Sequence, residues 1–266
     1  MNAVVTPTPA AAGISMRSLH TPEEMVRASA LLARVWEVPP QRSLLSPEML
    51  VALAHSGNYV AGAFLGEEII GVNVGFFHPP LKRSLHSHVA AVAPEHAGAG
   101  VGRALKHHQR LWALERDATR VTWTFDPLVA RNAYFNIRKL GCDVEAYLTD
   151  FYGTMQDSVN QGQYSDRLLV VWHLDRLPRD NERPQEDHPV LLRNDDGRPV
   201  MGAMPDGTEY CLVEIPSDID EVRRHLPALA LEWRIELREV LGGLLAEGWR
   251  VVHFDPDGSY HLRRSA

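Results

Sequence analysis

The chain of 266 residues is long enough for one large or two modest domains. Hydrophobic residues make up 45% and charged residues 23% of it, an ordinary globular balance with ample apolar material for a core. The formal net charge is −7, from 34 acidic and 27 basic side chains, and no local basic patch interrupts it. Such a chain repels a phosphate backbone, so we expect no nucleic-acid partner.

The N-terminus and the cysteines indicate a soluble, cytoplasmic protein. Residues 1–13 lack the basic and apolar regions of a signal peptide and are expected to form a disordered tail. No apolar run approaches the roughly 20 residues needed to span a membrane. Cys142 and Cys211 belong to no CxxC pair, which favours two reduced thiols. The histidines lack metal-site spacing, so we expect no metal.

The first third of the chain alternates between strand and helix patterns. Residues 14–19 predict a strand, and Thr21 to Glu24 predicts a helix that begins with a capping box. A second helix is expected from Ser46 to about Gly57. Three further strands are predicted, of which the first two form a hairpin: 59–65, 69–77 and 84–92.

The pattern then continues as helix, strand, helix and two strands. These elements are predicted at 102–116, 120–125, 129–140, 143–152 and 167–174. Gly141 is suited to end the second of these helices. The order predicts an α/β (α+β) domain over residues 14–176, with a mixed sheet whose faces are covered by helices.

The last third of the chain predicts a smaller α+β extension over residues 188–266. A polar, proline-containing linker at 177–187 precedes it. Turn signals and short apolar runs predict a small meander, and Ser217-Asp218 is expected to cap one long helix. A final hairpin is expected at 249–254 and 259–264.

A glycine-rich turn joins the fourth strand to the following helix. Gly98, Gly100 and Gly102 alternate with other residues immediately before the helix. Glycines let backbone N–H groups converge at a helix N-terminus, which makes an anion cradle suited to a diphosphate. Arg103 breaks the Rossmann GxGxxG pattern, and a Walker A lysine is absent. A turn without a ligand is the remaining alternative.

The segment resembles the GNAT superfamily of acyltransferases. Val92-Ala93-Pro94 and Gly100-Val101-Gly102 match its core motif, and the resemblance covers 14–174, best from 87 to 141. It implies a mostly antiparallel sheet with splayed central strands and a CoA pyrophosphate held by the turn. Ala97 stands where the family has Gln or Arg. The predicted cofactor-binding residues are Val92, Ala97, Gly98, Ala99, Gly100, Val101, Gly102, Arg103, Asn132 and Asn136.

The catalytic groups follow the family less closely. Ile137 occupies the position of the family's usual tyrosine acid, so Tyr134 is the predicted substitute, with Asn136 nearby. His88, on the fourth strand beside His86, is the predicted base, because histidine accepts protons near neutral pH. A hydrogen-bonded structural histidine is the plainer alternative for His88.

Acidic and basic residues further along the chain complete the candidate site. Asp126 ends the fifth strand and is predicted to bind the substrate ammonium or act as a base; an Asp-Pro turn is the alternative. Arg167 is predicted to bind a carboxylate of a substrate; the alternative is a structural ion pair with Asp166 or Asp150. Two alternatives exist for Arg234 and Arg238: they form an anion site, or they form ordinary ion pairs on the protein surface. On the glycine-turn helix, the pair His107-His108 is expected to be solvated.

We therefore expect an N-acyltransferase that uses acetyl-CoA or succinyl-CoA as donor and a small-molecule amine, an amino acid, as acceptor. The stretches Trp123 to Leu128, Asp150 to Gly153 and Ser165 to Leu168 resemble the GNAT branch that accompanies N-succinylamino-acid racemases. A non-catalytic acyl-CoA-binding module and a protein N-acetyltransferase are the alternatives. A homodimer is compatible with the sequence, and no membrane partner is expected.

Overall fold

The computed structural model describes residues 13–79, 82–153, 164–176 and 188–265. The predicted tail, apart from Gly13, and the predicted linker lie outside these residues. The chain forms two compact units, residues 1–121 and 122–266, so the boundary falls inside the fifth strand.

The first unit contains four antiparallel strands in chain order. They are β1 (Ile14–Ser18), β2 (Tyr59–Leu65), β3 (Glu68–Phe77) and β4 (Ser84–Val92). The predicted strand boundaries agree with these to within one residue. Alternating apolar patterns and the tight turn between β2 and β3 account for this agreement.

Three helices accompany the strands of the first unit: α1 (Pro22–Val35), α2 (Pro47–His55) and α3 (Val101–Leu114). The predicted capping box of α1 is confirmed: Thr21 Oγ1 accepts from the Glu24 amide at 3.2 Å, and Glu24 Oε2 accepts from the Thr21 amide at 3.1 Å. These bonds satisfy two amides that the first turn of a helix leaves without intrahelical partners.

The helices cover both faces of this sheet. Leu32 of α1 and Leu50 of α2 pack in one core cluster with Val72 of β3. Leu105 of α3 packs against Ile70 in a second cluster on the opposite face. The sheet is therefore buried on both sides, which explains the nearly continuous apolar runs of β2 and β3.

The second unit begins with three strands, β5 (Arg120–Phe125), β6 (Asp143–Leu148) and β7 (Arg167–His173), in the order β5-β7-β6. The helix between β5 and β6 starts as α4 (Ala130–Ala133) and continues as a π-helical segment, Tyr134–Lys139. Gly141, with φ of 70°, follows that helix in the left-handed conformation expected of a helix C-terminus.

A five-stranded sheet forms the rest of the second unit, in the order β11-β12-β10-β8-β9. Its strands are β8 (Val190–Asp195), β9 (Arg198–Met201), β10 (Tyr210–Glu214), β11 (Trp249–Phe254) and β12 (Ser259–Arg264). β10 and β8 run parallel, and the other neighbours run antiparallel. The predicted final hairpin is β11 and β12.

The predicted single helix after Ser217-Asp218 is wrong, because the chain forms two helices there. They are α5 (Ile219–His225) and α6 (Pro227–Leu237); a π-helical segment, Arg238–Gly242, and α7 (Gly243–Ala246) continue α6. Leu226 separates α5 from α6 with φ of −136° and ψ of 61°. A residue before proline is sterically disfavoured in the α conformation, which accounts for the break.

The architecture is thus a mixed α/β fold, with mostly antiparallel sheets flanked by helices and an additional C-terminal sheet, as the sequence predicts. Among the described residues, no helix combines the length and the apolar character required to cross a membrane. Cys142 and Cys211 are both buried.

Candidate active site

The glycine-rich turn occupies the N-terminus of α3. Gly98 has φ of 79°, and Gly100, the residue that precedes the helix, has φ of 80°. Both values lie in the left-handed region, where a side chain is strained and glycine is not. A Cβ at either position would meet no atom within 4 Å, so the backbone conformation, and not crowding, requires glycine here.

The turn is open to solvent, and one of its amides, that of Ala99, donates to the His96 carbonyl at 3.3 Å. Gly98, Ala99 and Gly100 are exposed, and no side chain caps the helix at Gly100. The first amides of a helix, here those that begin at Val101, have no intrahelical acceptor. Together with the positive end of the helix dipole they form a site for an anion. This geometry fits a diphosphate, with Arg103 exposed in the first helical turn.

A β-bulge interrupts β4 close to this turn in sequence. Val74 of β3 pairs with Val89, whereas the next residue, Gly75, pairs with Ser87, so His88 is the extra residue. A bulge leaves one residue out of the hydrogen-bond ladder and redirects its backbone and side chain. The sequence analysis assumed regular alternation of side chains along β4 and did not predict this bulge.

Three histidines and a phenylalanine gather on one side of β3 and β4. The ring of Phe76 lies 5.2 Å from the ring of His86 and 5.8 Å from that of His88, measured between centroids. The rings of His86 and His88 are 6.3 Å apart, and His78 lies 6.0 Å from His86. The predicted placement of His86 and His88 near one another agrees with this geometry.

These histidines are weaker bases than free imidazole. Burial, then the neighbouring His88, His78 and Lys106, lowers the pKa of His86 to about 4. Desolvation also lowers the pKa of His88 below its usual 6.5, although its side chain keeps contact with solvent. Both rings are therefore largely neutral at pH 7, the state in which a ring nitrogen can accept a proton.

A buried polar network lies between α3 and the strands β3 and β4. Lys106, 4% exposed, donates to Ser87 Oγ at 2.8 Å and to Gln109 Oε1 at 3.4 Å. Gln109 Nε2 and Ser87 Oγ each donate to Asn73 Oδ1 at 3.3 Å. The network fixes Ser87, which directly precedes the bulged His88.

His108 differs from its expected place on the solvated surface of α3. Its ring is half-buried, and its Nδ1 lies 2.8 Å from the hydroxyl of the fully buried Tyr59. The ring of Trp112 packs edge-on against Tyr59 at 5.1 Å. A buried tyrosine needs a hydrogen-bond partner, which explains why this histidine turns toward the sheet.

The candidate residues of α4 and its π-helical continuation have separate environments. Tyr134 is partly exposed and contacts the Lys139 ammonium at 5.2 Å from its ring centre. Asn136 is buried, and its Oδ1 accepts from Trp123 Nε1 at 3.2 Å. Asn132 is exposed, and Ile137 is buried.

Asp126 is the centre of a buried ion-pair network. Its Oδ1 accepts from the Leu128 amide at 2.9 Å, and its Oδ2 accepts from Arg223 at 2.5 Å and Arg234 at 2.6 Å. Arg167 Nη1 lies 3.9 Å from the same oxygen. Burial opposes ionisation, but Arg234 and Arg223 overcome it and hold the pKa of Asp126 well below its ordinary value. Such a carboxylate has little proton affinity, which disfavours a role as base.

Asp166 forms a second centre beside the first. Arg238 donates to both of its carboxylate oxygens, at 2.9 and 2.7 Å, and Tyr147 donates to Oδ2 at 2.7 Å. Arg167 Nη1 donates to the Asp166 carbonyl at 2.9 Å. The network therefore continues from Asp126 through Arg167 to Asp166.

Residues 21–141 match the model of the acetyltransferase (GNAT) family. This segment contains the capped helix α1, the bulged strand β4, the glycine turn and α3. This segment, which is less than half of the chain, is similar in sequence to GNAT acetyltransferases.

Solved structures share the fold of this part of the chain. One is a GNAT-family acetyltransferase from Desulfovibrio desulfuricans, at 18% identity and a TM-score of 0.51, covering 60% of this chain and 99% of its own. Another is the ribosomal-protein-S18-alanine N-acetyltransferase of Escherichia coli, at 14% identity and a TM-score of 0.50, covering 63% and 97%. A third is a ribosomal-protein-alanine N-acetyltransferase from Brucella melitensis, at 17% identity and a TM-score of 0.50, covering 60% and 99%. No curated protein matches the chain significantly.

The predicted site residues are divided between the two compact units. The glycine turn, Val92 and His88 belong to the first, and Asp126, Tyr134, Asn132, Asn136 and Arg167 belong to the second. Within the second unit, Asp126 and Arg167 lie close together, although the order of residues along the chain does not predict this contact. Arg131 is exposed and pairs with Asp220 at 2.8 Å.

Sequence reasoning missed Lys106 and Gln109 and did not place Arg223 or Arg234 with Asp126. The glutamates near Arg234 suggested surface pairing, yet Arg234 is fully buried. The available signal was helical spacing: Arg234 follows Ala230 by four residues and precedes Leu237 by three, on the buried stripe of α6.

Proposed function

We propose that the chain transfers an acyl group from an acyl-CoA thioester to a primary amine. The observation that carries the proposal is the exposed glycine turn at the N-terminus of α3, inside a segment that matches the GNAT family. The amides from Gly98 to Arg103 would hold the pyrophosphate of the donor. The donor supplies an activated acyl group that an uncharged amine attacks directly.

The chain's own residues have separate roles in this reaction. His88, neutral at pH 7, would remove the proton of the bound ammonium, directly or through water. The bulge at His88 leaves backbone groups of β4 outside the ladder with β3, and such an N–H is suited to polarise a carbonyl. Tyr134, which is partly exposed, is the proposed acid for the departing thiolate.

The finer assignments are proposals as well. We propose acetyl or succinyl as the acyl group and a small amino acid as the acceptor, in line with the resemblance to the racemase-associated branch. The proposed setting is the cytoplasm, and a homodimer is compatible with the proposal.

Gly100→Asp tests the proposed donor site. The substitution places a side chain at φ of 80° and a negative charge where a diphosphate would bind. We expect calorimetry with acetyl-CoA and succinyl-CoA to detect binding by the parent and at least tenfold weaker binding by the variant. Gly207→Asp is the matched control, because Gly207 also has positive φ and open space around it but lies in the turn before β10. Equal binding by Gly100→Asp and the parent refutes the assignment.

One observation favours a non-catalytic acyl-CoA-binding module as the second candidate. Ile137, at the position of the family's tyrosine, is apolar and only 2% exposed. A thioester-release assay against amino acids, other small amines and peptide N-termini separates the candidates. Donor binding without release supports the binding module, and release only with peptides supports a protein N-acetyltransferase.

A further inference from the structure

Arg234 carries donor groups that the described residues do not satisfy. Its side chain is fully buried, and its Nη2 donates to Asp126. Its Nε and Nη1 have no hydrogen-bond partner among the described residues. A guanidinium has five N–H donors, and a buried donor without a hydrogen bond is unfavourable. We therefore expect a further hydrogen-bond acceptor at this position.

The charges around Arg234 point to the sign of that acceptor. Asp126 is contacted by Arg167, Arg223 and Arg234, three guanidinium groups around one carboxylate. Asp220 pairs with Arg223, at 3.1 Å.

The neighbouring carboxylate, Asp166, has an arginine partner of its own. Asp166 is fully buried, and Arg238 takes up both of its carboxylate oxygens. Within this network of the described residues, five guanidinium groups, including that of Arg131 on Asp220, therefore contact three carboxylates. A carboxylate is the anion whose oxygens match guanidinium donors, so we expect the missing acceptor of Arg234 to be a carboxylate.

An aromatic rim borders the same network. The guanidinium of Arg167 lies over the ring of Tyr152 at 5.4 Å, and that of Arg238 lies over the ring of Tyr164 at 4.7 Å. Tyr152 is 43% exposed and Tyr164 is 46% exposed. Phe151 packs edge-on against Tyr152 at 4.7 Å and is also exposed. These rings give the buried arginines a solvent-facing border with apolar surface for the body of a small molecule.

We propose that the arginine network around Asp126 binds a carboxylate of one of the two substrates, with Arg234 supplying the buried donors and Arg167 the donors nearest the rim. The proposal rests on the proposed acyl transfer for the identity of the ligand. The carboxylate belongs either to an amino-acid acceptor or to the distal end of a succinyl group. In both cases residues from the C-terminal part of the chain, Arg223 and Arg234, determine the substrate class.

The first experiment uses the full-length parent protein and calorimetry. One arm compares a panel of N-acetyl-L-amino acids, with small, apolar, polar and aromatic side chains, with the matching N-acetyl amides. The other arm compares succinyl-CoA with acetyl-CoA. A carboxylate site on the acceptor side gives at least tenfold tighter binding of some acids than of their amides. A site for the acyl group gives a similar preference for succinyl-CoA instead. Absence of both preferences overturns the proposal.

The second experiment assigns the preference to the network. Arg234→Lys keeps the charge but removes the planar donors, and we expect it to abolish the preference found in the parent. Arg193→Lys is the matched control, an exposed arginine of β8 in the same unit, and should keep it. A preference that survives in Arg234→Lys overturns the proposal. If circular dichroism finds Arg234→Lys unfolded, Arg167→Lys, at the rim, decides in its place by the same criterion.

Thioester release separates this proposal from the proposed function. A carboxylate preference that depends on Arg234, without release for any acceptor, supports the site and contradicts acyl transfer. The opposite outcome is release at the same rate with amino acids and with their amides, and with either donor. If this release is also unchanged in Arg234→Lys, it supports acyl transfer and overturns the carboxylate site.

Discussion

Asp126→Asn should destabilise the protein strongly while preserving its shape. Asparagine has the same size as aspartate and can still accept the Leu128 amide hydrogen bond through its side-chain oxygen. It carries no charge, so it leaves Arg223 and Arg234, both at most 2% exposed, without the carboxylate that they share. Removing one partner of a buried ion pair leaves an uncompensated charge in a medium of low dielectric constant.

The expected loss is about 3–5 kcal/mol in the free energy of unfolding at pH 7, the range for removing one partner of a buried pair. Exposed pairs such as Arg34–Glu95 contribute much less, because water and salt screen the two charges. Asp206→Asn, in an exposed turn of the same unit, is the matched control and should change stability by less than about 0.5 kcal/mol. Urea unfolding followed by circular dichroism provides both values.

The loss should also depend on pH with a defined sign. The folded protein holds the pKa of Asp126 below its ordinary value of 3.8, so its contribution is present above pH 3.8. It declines as the pH falls below that value, because the unfolded chain takes up the proton first. Parent and variant should therefore differ most near neutral pH and converge in acid. A difference below about 1 kcal/mol at pH 7 refutes the ion-pair interpretation.

Three further predictions concern the first unit. Thr21→Ala removes the cap of α1 and should lower stability by about 1 kcal/mol in urea unfolding, whereas Thr21→Ser should retain most of it. Tyr59→Phe loses the hydrogen bond to His108 and should cost about 0.5–1.5 kcal/mol; no change would mean that the bond is not formed in solution. If His88 is the base, kcat/KM should decline on the acid side with an apparent pKa below 6.5, and His88→Gln should lose that limb; a limb that persists in the variant assigns the base elsewhere.

The strands and helices of the first unit were predictable because local rules determine them. Alternating apolar residues identify β4, and the Thr21–Glu24 pair identifies the start of α1 without reference to the rest of the chain. Gly100 follows the same logic, since its positive φ is needed at the residue that precedes α3. The bulge at His88 was not predictable in this way, because it depends on the register with β3.

The last third of the chain forms two helices where one was predicted. The cause is a local signal, a proline, that lies within a continuous apolar stripe. Apolar residues continue at helical spacing from Leu226 through Leu237, which favours one helix. Pro227 overrides this spacing, since it restricts the preceding residue and can itself begin a helix. Proline at the first position of α6 is thus a stronger boundary signal than the continuing stripe.

The ion-pair network was beyond local rules, because its members are far apart in sequence. Asp126 and Arg234 are separated by 108 residues, and the local sequence around either residue does not predict the other as its partner. A polar residue on the buried stripe of a helix does indicate that a distant partner exists. Lys106 and Gln109 on α3 carry the same signal and find Ser87 and Asn73.

The network also bears on whether residues 188–266 can be separated from the rest of the second unit. Arg234 and Arg238 lie one helical turn apart and bind Asp126 and Asp166, which adjoin β5 and β7. Removing the C-terminal residues would take from both carboxylates the arginines that they contact, and loss of one partner from a buried ion pair is strongly destabilising. The described part of the second unit, from Thr122 onward, therefore has to fold together with the C-terminal residues. A truncation after residue 176 would expose or unfold β5 to β7, and with them the strand end that carries Asp126.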